Sequence, residues 1–257
     1  MFADSHCHLN YKGLVEDQAA VLARARAAGV TAMLNISTRR SEWDEVIGLA
    51  EREADVWASV GIHPHEADAH PDVQAATLVE RAGHARVVGI GETGLDYYYD
   101  HSDRERQRAS FRAHIAASRE TGLPLIVHTR DAEADTADIL ADEMGKGAFP
   151  GVIHCFTASR DFADRALALG FYISLSGIVT FKNARDLQET AKTIPIERML
   201  IETDSPFLAP VPHRGKPCEP AFVADTARFV AGLREVPVEE LAERTAANFR
   251  TLFGKAA

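Results

Sequence analysis

His6 and His8 stand two residues apart at the end of the first apolar run, in Asp4-Ser5-His6-Cys7-His8. A β-strand alternates its side chains between two faces, so both imidazoles aim at one point while Cys7 looks away. Neutral imidazole is a common metal ligand, and two of them on one rigid strand can begin a metal site. Alone, such a pair reads equally well as two hydrogen-bonded structural histidines. What decides between them is how often the pattern recurs. Apolar runs ending in histidine or an acid return at His63, Glu92, His128 and His154, and at Glu202 with Asp204. The histidines at 70, 84, 101, 114 and 213 fall instead in predicted helices or loops.

The elements that must position these residues alternate β and α. Strands are predicted at 2–8, 31–36, 56–62, 86–92, 124–128, 151–154, 171–174 and 199–203. Helices are predicted at 14–28, 41–54 with Ser41 as N-cap, 71–82, 102–120, 132–144 and 159–169, with two closing helices within 221–253. Ser102-Asp103-Arg104-Glu105 has the form of a capping box, and Gly29 and Gly83 stop the helices before them. Eight short apolar strands separated by helices predict a parallel sheet covered on both faces, most simply closed as a (β/α)8 TIM barrel spanning residues 1–257 as one domain. An open doubly wound sheet is the alternative. In a barrel, functional groups gather at the C-terminal ends of the strands, which is where the recurring histidines and acids lie.

Length and composition set bounds on what this barrel can do. The chain has 257 residues, 46% hydrophobic and 26% charged, with a net charge of −10. That balance argues against broad binding to duplex nucleic acid, which needs a basic face, but leaves room for a local phosphate pocket. No apolar run is long enough to span a bilayer, and the first residues lack the basic start of a signal peptide. Cys7, Cys155 and Cys218 are an odd number without CxxC spacing and read as free thiols of a cytoplasmic protein. A monomer is the default expectation.

The collected donors are imidazole and carboxylate without thiolate, a set suited to Mg, Mn, Zn or similar divalent ions. Glu92 can bridge two such ions, one oxygen to each. His6, His8 and Asp204 would complete one site, and His128 with His154 the other. Two metals about 3.5–4 Å apart can hold a hydroxide and polarise a phosphoryl or carbonyl oxygen. Asp204 can then act as general base. Glu202, on the same strand face, either points inward as well or orients a ligand from behind.

The motifs DSHCHL (4–9), GIHPH (61–65), GETGLD (91–96), HTRDA (128–132), HCFT (154–157), ETDSPFL (202–208) and RGK-x-x-EP (214–220) occur in this order over nearly the whole chain. Together they closely resemble the TatD family of metal-dependent deoxyribonucleases. The resemblance implies a TIM barrel of the metal-dependent hydrolase superfamily with metal ligands His6, His8, Glu92, His128, His154 and Asp204. It further implies metal-dependent cleavage of DNA, as a 3′-to-5′ exonuclease preferring single strands, with His63 and Glu202 functionally important. Cys218 stands where the family pattern has Asn.

The substrate side is less tightly drawn. Ser205 to Pro220 holds five of the eleven prolines and carries His213, Arg214 and Lys216, a stiff cationic loop expected to grip phosphate on the catalytic face. His65, Arg130 and Lys182 are further candidates, and Tyr97, Tyr98 and Tyr99 offer rings for either base stacking or packing. Gly89-Ile-Gly91-Glu-Thr-Gly94 fits a dinucleotide fingerprint but is followed by a predicted loop, not a helix, so its glycines are assigned to close backbone packing around Glu92. The competing function is hydrolysis of an amide, ester or lactone on the same scaffold. A binding protein without activity would not need so complete a donor set.

Overall fold

The computed structural model describes residues 1–256. Eight strands run in the order β1 (Phe2–Cys7), β2 (Val30–Asn35), β3 (Val56–Val60), β4 (Val87–Asp96), β5 (Leu125–Arg130), β6 (Gly151–Ile153), β7 (Tyr172–Leu175) and β8 (Met199–Ile201). Each pairs in parallel with the next, so the sheet order is the chain order. The seam between first and last strands is sewn beyond β8. Cys7 bridges Ser205 in parallel, while Asp204 N–H donates to His6 O at 2.9 Å and His8 N–H to Ser205 O at 2.8 Å. The result is the expected (β/α)8 barrel.

The intervening helices are α1 (Gln18–Ala27), α2 (Trp43–Arg52), α3 (Ala75–Ala82), α4 (Arg104–Thr121), α5 (Glu133–Lys146), α6 (Arg160–Ala168) and α7 (Arg185–Thr193), with α8 (Val223–Leu233) and α9 (Val238–Leu252) closing the chain. Their apolar faces bury against the outside of the sheet, for example Val21, Leu22 and Ala25 of α1. A second apolar cluster fills the barrel below the predicted site. It joins Val88, Ile126, Val152 and Leu200 to Phe249 and Phe253. These four strand residues precede Glu92, His128, His154 and Glu202 by two or four positions, so strand alternation makes the apolar cluster the floor on which the polar residues stand. Among the described residues, no helix is long and apolar enough to cross a membrane.

Several expected boundaries move. β4 continues past Glu92 to Asp96: after an irregularity between Ile90 and Thr93 it resumes pairing with β5 from Thr93 to Asp96. Gly91 has φ +141°, and a Cβ there would lie 2.7 Å from Ile126 O. At Gly94, with φ +134°, it would collide with His128 O. Both glycines serve close packing, as expected of the false fingerprint. Asp103, not Ser102, caps α4 by accepting from Glu105 N–H and Arg106 N–H. Ser102 is drawn away: its hydroxyl donates to His65 O at 2.8 Å and accepts from Asp68 N–H. The Ser41 cap does not form, since a 3-10 turn over Arg40–Glu42 leads into α2. Helix α7 lies outside the expected elements; it is short and mostly polar, burying Leu187, Thr190 and Ala191.

Candidate metal centre

Five strand ends converge on the carboxylate of Glu92, which is 3% exposed. Its Oε2 lies 3.3 Å from His6 Nε2 and 3.9 Å from His8 Nε2. Its Oε1 lies 2.9 Å from His154 Nε2, 3.2 Å from His128 Nδ1 and 3.4 Å from His63 Nε2. Asp204, from the turn after β8, places Oδ1 3.4 Å from His8 Nε2 and 3.6 Å from His6 Nε2. The two nitrogens of His6 and His8 are 3.3 Å apart, as the i, i+2 alternation requires. His6, His8 and Glu92 form one group whose ligand atoms lie within 4.8 Å of one another; His63, Glu92 and His128 form another; His6, His154 and Glu202 a third. Buried imidazoles crowded about shared carboxylates, with no thiolate among them, are a donor set that fits divalent metal.

A further ring of acids holds these side chains from behind. Asp96 Oδ2 contacts His128 Nε2 at 3.1 Å and His65 Nε2 at 2.9 Å, and its Oδ1 accepts from Tyr98 N–H and Tyr99 N–H. Glu202 Oε1 contacts His154 Nδ1 at 3.2 Å and accepts from Cys155 N–H at 2.7 Å. Asp4 binds Thr203 through the Thr203 N–H at 2.9 Å and its hydroxyl at 2.6 Å, fixing the chain between Glu202 and Asp204. A carboxylate behind a histidine sets its tautomer and ring orientation, which is how metal-ligating histidines are usually held. His6 Nδ1 and Glu202 Oε2 are buried without a partner, and the two residues belong with His154 to one of these groups.

The electrostatics follow from burial opposed by this packing. Burial pushes the Glu92 carboxyl up, but His154, His63, His6 and His128 outweigh it and hold it well below the usual range. Asp204 is likewise pushed up by burial and pulled down further by its bond to His8 and by His6 and His154. Both are therefore ionised at neutral pH. His63 is driven well below its ordinary value by burial, which Glu92 only partly opposes, and is neutral. For His128, burial is outweighed by Asp96 and Glu92, and the pKa rises. Burial, aided by the nearby Glu202 carboxylate, lifts Asp4 to about 8 against its bonds to Thr203 and to His6 N–H.

Above the cluster opens a cavity of about 760 Å³ lined by His8, His63, His65, Glu92, His128, His154 and Asp204. Of the residues expected to contact substrate, His65 and Arg130 reach its wall. Arg214 and Lys216 do not line it. The proline-rich loop turns away: Val211 N–H bonds Thr180 Oγ1, His213 bonds Asp225 at 3.0 Å, and the Arg214 guanidinium lies 3.7 Å over Phe181. Lys182 is exposed and also absent from the wall. Glu202 is fully buried behind His154, also off the wall, which favours the orienting role over a catalytic one. Tyr97 is a packing residue, its hydroxyl donating to Asp135 at 2.6 Å. Three contributors were not foreseen: Asp96, Arg39 and Phe207. Asp96 was findable, since Glu92, Gly94 and Asp96 share one strand face once β4 is allowed to continue. Arg39 and Phe207 sit on irregular segments with no such periodicity.

Residues 3–254 match the family described as TatD related DNase. The chain is 47% identical over 253 residues to the Escherichia coli K12 metal-dependent hydrolase YcfH, covering 97% of this chain and 94% of that protein. It is 36% identical over 256 residues to the 3'-5' ssDNA/RNA exonuclease TatD of Erwinia tasmaniensis, covering 97% and 98%. The crystal structure of YJJV, a TatD homologue from Escherichia coli K12, superposes with a TM-score of 0.91 at 30% identity over 98% of both chains. With the barrel and its donor cluster, these matches make the chain a member of the TatD family of metal-dependent hydrolases.

Proposed function

We propose that the protein hydrolyses phosphodiester bonds at a centre of two divalent cations and shortens single-stranded DNA from its 3′ end. His6, His8 and Asp204 would hold one cation, His128 and His154 the other, and Glu92 both. The division of the Glu92 carboxylate carries this proposal, one oxygen facing His6 and His8 and the other facing His63, His128 and His154. Divalent ions bound there would supply Lewis acidity to a phosphoryl oxygen and a nucleophile at neutral pH.

The protein's own groups divide the remaining work. Asp204, ionised at the edge of the cavity, accepts the proton of the attacking water. Water oxygen bonds to phosphorus, one P–O bond breaks, and the departing alkoxide takes a proton, leaving a phosphomonoester and an alcohol. Neutral His63, on the cavity wall, accepts from His65 N–H at Nδ1 and so turns its one N–H, on Nε2, toward Glu92 without adding charge there. Glu202 acts through His154 by holding its ring. Arg130 and His65 on the wall approach the flanking phosphates, a local contact open even to a chain with net charge −10. The activity named for the Erwinia relative supports the choice of substrate.

The test is degradation of end-labelled single-stranded DNA by metal-stripped protein, with Mg, Mn or Zn added back and Asp204→Asn as control. Stepwise shortening from the 3′ end that needs metal and is lost in the variant is the expected result. Intact DNA with every metal would overturn the substrate assignment, and ester and amide substrates would then be tried.

A further inference from the structure

Three aromatic side chains among the described residues are exposed: Tyr98 at 57%, Tyr99 at 49% and Phe207 at 49%. All three stand at the mouth of the same cavity. Tyr99 and Phe207 line it, and Tyr98 packs edge-on against Tyr99. They come from opposite sides of the barrel, because Tyr98 and Tyr99 follow β4 whereas Phe207 follows β8, four strands away. The donor cluster lies between them.

Each side is braced by its neighbours, with the Tyr98 and Tyr99 rings at 89° to each other and Tyr99 parallel to His101 at 5.4 Å. Arg130 stacks its guanidinium 4.0 Å from the Tyr98 ring and 4.8 Å from that of Tyr99, and Asp96 fixes the backbone of both tyrosines. Opposite, Phe207 stands perpendicular to Tyr11, 6.1 Å between centroids, and Tyr11 stacks on His8 at 4.6 Å. Tyr97 is by contrast half-buried, with its hydroxyl bonded to Asp135 and Arg108 and the Arg104 guanidinium 4.2 Å over its ring. Exposing large apolar rings to water is unfavourable unless something covers them. A planar heteroaromatic group suits both sides, since any base can stack on an aromatic ring regardless of sequence.

We infer that Phe207 and the Tyr98–Tyr99 pair are two stacking platforms that hold unpaired nucleobases on either side of the phosphate being cleaved. This rests on the phosphodiester function proposed above and specifies its substrate: a strand bearing bases on both flanking nucleotides, each free of a pairing partner. A duplex cannot present both bases to rings on opposite walls without unstacking them.

The experiment is equilibrium binding, by fluorescence anisotropy, to full-length metal-free protein, where no cleavage intervenes. The probes are a labelled single strand and a strand of equal length built from abasic sugars, which keeps the phosphates and removes the bases. Phe207→Ala and Tyr99→Ala should each weaken binding of the base-bearing strand about tenfold and leave the abasic strand within about twofold. Phe207→Trp should keep the affinity and show emission quenched by the base-bearing strand only, against the background of Trp43 and Trp57. Equal weakening of both strands, or no change in either, would overturn the inference. Cleavage by wild-type protein with Mg or Mn is scored separately. Base-dependent binding without cleavage would support the platforms and sink the nuclease assignment, whereas cleavage with unaltered variant affinities would sink the platforms alone.

Discussion

His6 and His8 meet Glu92 from a strand end that solvent barely touches, their side chains 0% and 4% exposed, whereas His63 and His128 meet it from the open side at 13% and 19%. The backing differs as well. On the open side His128 rests on Asp96 and its neighbour His154 on Glu202. On the closed side His8 Nδ1 finds only the Ile36 carbonyl at 3.3 Å, and His6 Nδ1 finds nothing. Packing fixes the closed half, and hydrogen-bonded acids fix the open half. The acid backing follows the side of Glu92 and not exposure: His154 is only 3% exposed, yet like His128 it has a carboxylate to set its tautomer and ring, while His6 and His8 are held by packing.

Substitutions can break this contrast. The largest effect belongs to Asp204, the acid of the closed half: Asp204→Asn should lower kcat by about 10²–10⁴-fold with folding intact, read by steady-state kinetics and circular dichroism.

Next comes a pH effect centred behind the open half. His114 accepts from Ile62 N–H at 2.9 Å, one residue before His63, and burial lowers its pKa to about 4. An unfolded histidine titrates near 6.5, so the unfolded chain binds more protons between those values. Stability present above pH 6.5 should therefore be lost as pH falls toward 4, by about 3 kcal/mol from this group. Denaturant titrations of wild type and His114→Gln across that window check it; an unchanged slope in the variant would remove His114 as the cause.

Asp96→Asn should act on the open half selectively, weakening one equivalent of bound metal about 10–100-fold while the other is retained. Isothermal titration resolves the two, and equal loss at both would erase the distinction between halves. The smallest effects lie at the rim. Arg130→Ala should reduce the salt slope of single-strand binding by about 0.7, while Arg214→Ala, whose guanidinium is already stacked on Phe181, should leave that slope unchanged.

What was legible in the sequence divides along similar lines. The barrel and the convergence of His6, His8, Glu92, His128, His154 and Asp204 could be read because strand periodicity fixes which face a residue takes and the fold fixes which end matters. Residues outside a periodic element gave no such handle. Arg214 and Lys216 looked like a phosphate grip from their charge, but the direction of their loop is set by Thr180, Asp225 and Phe181, residues contributed by the β7-to-β8 connection and α8. Ser102 and Asp103 are both competent caps, and a tertiary bond to His65 O decided between them. Helix α7 buries only Leu187, Thr190 and Ala191: its residues do segregate to two faces, but so few are apolar that the segment reads as loop.

The seam that closes the barrel also sets a timetable. His6 and the segment that pairs with it and supplies Asp204 lie 198 residues apart in the sequence. At ordinary translation speeds of about 5–20 residues per second, the two halves of the seam are separated by about 10–40 s of synthesis. Until β8 and the turn after it are made, the growing chain lacks Asp204 and the donor cluster is incomplete.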